Sequence, residues 1–152
     1  MITIFGKKKE IKAEEKKPST QQSQMMELAG GDSTMFELLS RFIFLDPEKQ
    51  QAKDAGPYIE VAQEERAGGN LLRARVNYDL AAMMSIYRND KETTRKMATE
   101  ALAVSTADTD RRVHKALLDN LDKFMELAKI HFDRKNAAAS AEQLATTPVK
   151  KR

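Results

Sequence analysis

The segment from Leu71 to Arg88, LLRARVNYDLAAMMSIYR, carries apolar side chains at Leu71, Leu72, Ala74, Val76, Tyr78, Leu80, Ala81, Ala82, Met83, Met84, Ile86 and Tyr87. Wound as a helix, these positions cover more of the circumference than one buried face can hold, so the helix belongs in the middle of a bundle. Gly68, Gly69 and Asn70 stand before it. Glycine enters the left-handed conformation without a side-chain clash and ends the preceding helix, while asparagine is a favoured cap for the next. A central helix needs others around it, and the rest of the chain supplies them.

In GDSTMFELLSRFIFLDP, Thr34 and Glu37 have capping-box spacing, with Asp32 or Ser33 as alternative caps. Met35, Leu38, Leu39, Phe42 and Leu45 then share one helical face, widened by Phe36 and Ile43. Asp46 and Pro47 stop this helix and can open a short, polar segment. Pro57 opens a helix to about Ala67. Asn89 or Asp90 caps another to about Val104, with Met97, Ala101 and Val104 inward. A long helix is expected from about Thr109 to Lys135, where Val113, Leu117, Leu121, Phe124, Ala128 and Phe132 recur at helical spacing. No segment alternates for long enough to be a strand. The expected fold is all-α: a bundle of five or six helices with a hairpin in the middle and a long C-terminal helix.

Three regions are expected. Residues 1–31 read as a flexible basic arm, since KKKEIKAEEKKPSTQQSQ has too little apolar surface to offset its ordering entropy. Within it, QMMELAGG reads as a short helix ending at a glycine pair. Residues 32–135 form the bundle, and residues 136–152 a frayed basic tail in which Pro148 forbids continuation.

Charge sits at the ends. Of 26 basic and 23 acidic residues, nine and three lie in residues 1–20 and 149–152, which leaves 17 basic and 20 acidic between them. A slightly acidic body lacks the basic face of a nucleic-acid reader, and the tails alone would support only weak, non-specific contact. With no cysteine, disulfides, zinc ribbons and thiol catalysis are excluded, and a reducing cytoplasm fits best. No apolar run approaches the roughly 20 residues of a membrane span. The opening MITIFGKKK sets a few apolar residues before a basic cluster, which allows weak contact with an anionic membrane surface.

From Gly69, Ala74 is five positions on, Tyr78 four beyond it and Ala81 three beyond that. These spacings stack on one face, where alanine lets a neighbouring helix approach and tyrosine fills the next gap. The order glycine, alanine, aromatic, alanine resembles the second helix of a tetratricopeptide repeat, whose first helix would be AGPYIEVAQEERAG with Tyr58, Val61 and Ala62 at its apolar and small positions. Glu65 and Ile86 depart from that family's aromatic and closing proline. One period away, Lys96 or Leu28 takes the small position, so the resemblance covers a single unit, residues 55–88. The hairpin also resembles the microtubule-interacting-and-trafficking domain, a three-helix bundle. Both families bind peptides or helices of other proteins.

Residues of the types that carry chemistry have plainer readings. His114 and His131 lie about five turns apart on one expected helix and cannot share a metal; they read as a surface and a helix-end residue. Asp119, Asp122 and Glu126 form an acidic stripe beside Lys115 and Lys123, which suits helix-surface ion pairs. DTDRR lacks the glycine and distal glutamate of a calcium loop, and Asp108 reads as a cap. The many methionines suit core filling. No nucleophile, base and orienting group stand at a recognisable spacing, so no catalytic residue, metal or cofactor is expected. Arg66, Arg73, Arg75 and Arg88 surround the hairpin and would hold an acidic peptide or phosphate if they converged. The resemblance implies a non-enzymatic adaptor or scaffold that takes a partner peptide or helix in a groove, with Gln63, Arg66 and Arg73 as contacts. The alternative is a nucleic-acid-associated accessory protein acting through its basic tails.

Overall fold

The computed structural model of the chain describes residues 20–43 and 54–146. Among them are seven helices and no strand: α1 (Thr20–Ala29), α2 (Ser33–Phe42), α3 (Gly56–Ala67), α4 (Leu71–Tyr87), α5 (Lys91–Val104), α6 (Asp108–Asp119) and α7 (Leu121–Thr146). The all-α bundle with a long C-terminal helix is therefore as expected. The segment expected after Asp46, and the inward position given to Leu45, lie outside the described residues.

Local chemistry accounts for the helix ends. Asp32 caps α2 by accepting a hydrogen bond from the Met35 amide at 3.1 Å. That bond, with Lys123 nearby, holds its carboxyl below the usual range. Glu37, expected to complete a capping box, instead pairs with Arg112 on α6 through two hydrogen bonds of 3.1 and 3.0 Å. Asp90 caps α5, accepting from both the amide and the hydroxyl of Thr93. Gly69 turns the α3–α4 corner at φ +82°, where a side chain would strain the backbone. Asn70 does not cap α4; its amide donates to the Glu65 carboxylate at 3.2 Å.

α4 is buried through most of its length, with α3 packed on one side and α5 on the other, but Leu71, Leu72 and Val76 near its N-terminal end are exposed. Ala62, Ala74, Tyr78, Ala81, Ala82, Met84, Met97, Ala101 and Val104 form the apolar cluster between these three helices. A second cluster joins α1, α2, α6 and α7 through bulky residues, among them Met35, Leu38, Leu39, Phe42, Leu117, Phe124 and Phe132, and reaches α4 and α5 at Ile86 and Ala98. Phe42 and Phe124 meet edge to face at 6.3 Å between centroids. Burying each such side chain contributes about 1.5–3 kcal/mol.

Three expectations change. The long helix is two, broken at Asn120 (φ −118°, ψ 25°), whose side chain donates to the Ala116 carbonyl at 2.8 Å and competes with the helical backbone. The apolar stripe runs through the break, which hides it. At the N-terminal end, α1 belongs to the body, since Met25 and Ala29 lie in the bulky cluster. At the other end, α7 continues to Thr146 although the stripe ends at Phe132. Loss of the stripe marks where packing ends; alanine-rich sequence keeps the helix going.

Candidate functional site

The open side of the α3–α4–α5 stack is a groove of about 650 Å³, lined by Ile59, Gln63, Arg66 and Ala67 from α3, Tyr78 from α4, and Thr93, Lys96, Met97 and Glu100 from α5. Its origin lies in residue size. Ala62, Ala74, Ala81 and Ala101 are buried where α3, α4 and α5 meet, and methyl groups hold the helices close beneath the hollow. Tyr78, 3% exposed, fills space that the alanines leave and lines the groove.

Gln63 and Arg66 lie nearly one turn apart on α3 and both line the groove. Arg66 reaches over α4 to an ion pair with Glu100 on α5, each side chain 42% exposed. Tyr78 and Glu100 together hold the Arg66 guanidinium above the usual arginine range. Lys96 lies one turn before Glu100 on the same face of α5. Among the described residues, neither Lys96 nor Gln63 has a hydrogen-bond or ion-pair partner. The groove therefore combines an apolar floor with a net positive rim.

Arg73 is not part of it. Its side chain, 78% exposed, turns back across the glycine corner toward Glu65 at 3.7 Å. The arginines around the hairpin do not converge: Arg66 pairs with Glu100, Arg73 with Glu65, and Arg75 with Asp79 and Asp110.

The polar network beneath was not expected. His114, read from the sequence as a surface residue, is fully buried, because α6 turns its imidazole toward α4. Its Nε2 lies 2.5 Å from Oδ1 of the buried Asp79, and its Nδ1–H donates to the Asp110 carbonyl at 2.6 Å. Arg75 donates to the other oxygen of Asp79 at 2.7 Å, and Arg41 bridges Asp79 and Asp110 at 3.4 and 3.1 Å. Both imidazole nitrogens are engaged and no solvent reaches the ring, so the pair is closed to a substrate. It ties α2, α4 and α6 together. The signal available in the sequence is that Asp79 stands among the apolar residues of a crowded helix and so needs charged partners, of which Arg75 is one turn away on α4 itself.

His131 is buried on α7 rather than lying at a helix end. Asp122 and Lys123 pair between helices, with Lys91 at 2.9 Å and Asp32 at 3.6 Å, and not along their own helix. Among the described residues no cluster has the makings of a metal site, and no helix is long and apolar enough to cross a membrane. No known protein family, curated protein or solved structure matches this chain.

Proposed function

We propose that the protein is a non-enzymatic interaction module, an adaptor or scaffold, whose α3–α5 groove receives a peptide segment or helix of a partner protein. The observation that carries this reading is the pairing of unengaged polar groups, Gln63 and Lys96, with an apolar floor of Ile59, Met97 and Tyr78. Apolar floors give a ligand area, and a few placed polar groups orient it. Tetratricopeptide hairpins use their concave face in this manner, which agrees with the resemblance of residues 55–88 to one such unit. Gln63 and Arg66 remain the proposed contacts, joined by Lys96 and Glu100; Arg73 is left out.

Photo-crosslinking from two positions tests the reading. A photoreactive residue at Gln63 looks into the groove, whereas one at Leu72, 69% exposed, stands outside it. In native extract, position 63 should capture a discrete partner segment, identified by mass spectrometry, that Lys96→Glu abolishes. Capture from position 72 alone, or capture from 63 indifferent to Lys96→Glu, would remove the groove as the binding face.

A further inference from the structure

The reading of the groove as a partner site raises the question of what the partner carries, and the inference below rests on that reading. We propose that Glu100 stands in for a carboxylate of the partner: the groove accepts an acidic segment, and Glu100 is the internal competitor that sets how tightly it is held.

Arg66 offers a planar fork of five N–H donors suited to a carboxylate, and inside the groove that seat is taken by Glu100 from the opposite wall. Both side chains are 42% exposed, so water reaches the pair and holding it together contributes little to stability. Exchange of one carboxylate for another at Arg66 is correspondingly easy. Lys96 completes the arrangement. It lies one turn from Glu100 on the same helix and has no ion-pair partner among the described residues, because Glu100 is turned to Arg66. When an incoming carboxylate takes Arg66, Glu100 is released to a cation already in place, and no charge is left unpaired. With Arg66 and Lys96 against Glu100, the empty groove carries one surplus positive charge, which an acidic segment neutralises. Ile59 and Met97 beside them receive an aliphatic neighbour of the acidic residue. The preferred ligand is therefore a segment mixing aspartate or glutamate with aliphatic side chains.

The test is fluorescence anisotropy with two labelled peptides of identical length, one mixing glutamate with leucine and serine, the other carrying glutamine in place of every glutamate. Each is titrated with the full chain in four forms: wild type, Glu100→Gln, Arg66→Gln and the double variant, all checked for an unchanged melting temperature. The wild type should prefer the glutamate peptide. Glu100→Gln should bind that peptide roughly fivefold more tightly, the worth of one exposed ion pair, and the gain should vanish in the double variant. Affinity for the glutamine peptide should not respond to Glu100→Gln. If the glutamate peptide binds wild type and Glu100→Gln equally, the competitor role of Glu100 falls while the groove reading stands. If neither peptide binds any form, the groove reading falls and the inference with it.

Discussion

The two apolar clusters of this bundle are built from different materials. Between α1, α2, α6 and α7 the helices are held apart and the space is filled by Phe42, Phe124, Met35, Leu38, Leu39 and Leu117. Between α3, α4 and α5 the buried side chains are mainly Ala62, Ala74, Ala81, Ala82 and Ala101, with Tyr78 and two methionines in the remaining gaps. Bulk removes more apolar surface from water per residue and so contributes more stability. Alanine contributes less, but it brings backbones close and leaves the outer faces of α3 and α5 free to define a hollow. One half anchors the fold and the other shapes a surface. The Asp79–His114–Arg41 network joins them.

Breaking that joint should have the largest effect. Asp79→Ala leaves the buried His114 without its carboxylate and Arg75 with Asp110 alone, and should cost about 3–5 kcal/mol. Urea unfolding followed by far-ultraviolet circular dichroism should then show one transition at a lowered midpoint, because Ile86 and Ala98 also pack into the bulky cluster and keep the halves coupled. Phe124→Ala tests the bulky half by truncation and should cost about 3–5 kcal/mol, read from the same midpoint.

The alanine half should be sensitive to enlargement as well as to truncation. Tyr78→Ala, which removes its one large wedge, should cost about 3 kcal/mol, whereas Ala81→Leu should cost about 1–3 kcal/mol by overpacking and should reduce peptide binding as the helices part. An alanine-half site that tolerates leucine without loss of stability would erase the distinction.

The smallest effect is on pH. Burial first, and the charge of Lys135 second, hold the His131 imidazole below its usual value of 6.5. The unfolded chain takes up a proton there more readily than the folded one. Stability is therefore full above about 6.5 and falls as pH drops through that value. His131→Gln should flatten the decline between about pH 7 and pH 5 by less than ~1 kcal/mol, measured by melting temperature in both proteins.

Much of this comparison was legible in the sequence, because each half announces itself by periodicity. The stripe of α2, the crowding of α4 and the inward residues of α5, α6 and α7 all follow from spacing, since a 3.6-residue period identifies a buried face without knowledge of the partner. What the period does not register is where a stripe is interrupted without a change of face, as at Asn120, or where a short helix has only Met25 and Ala29 to pack, as in α1. It is equally blind to pairs distant in sequence. His114 is buried because Asp79, 35 positions earlier, awaits it, and nothing near either residue signals the other. The three polar residues expected at the groove divide on the same principle. Gln63 and Arg66 share a helix face and line the groove together; Arg73 lies beyond the glycine corner, and its distance from Arg66 along the chain carries no information about direction.

The most direct test of the groove as the binding face is a titration of the ¹⁵N-labelled chain with the glutamate-leucine peptide, followed by ¹H–¹⁵N correlation spectra. The account predicts that the largest shifts fall on α3 and α5 around Gln63, Arg66, Lys96 and Glu100, with α6 and α7 unmoved. Shifts centred on α6 and α7, or on the far face of α4 around Leu72 and Val76, would contradict it.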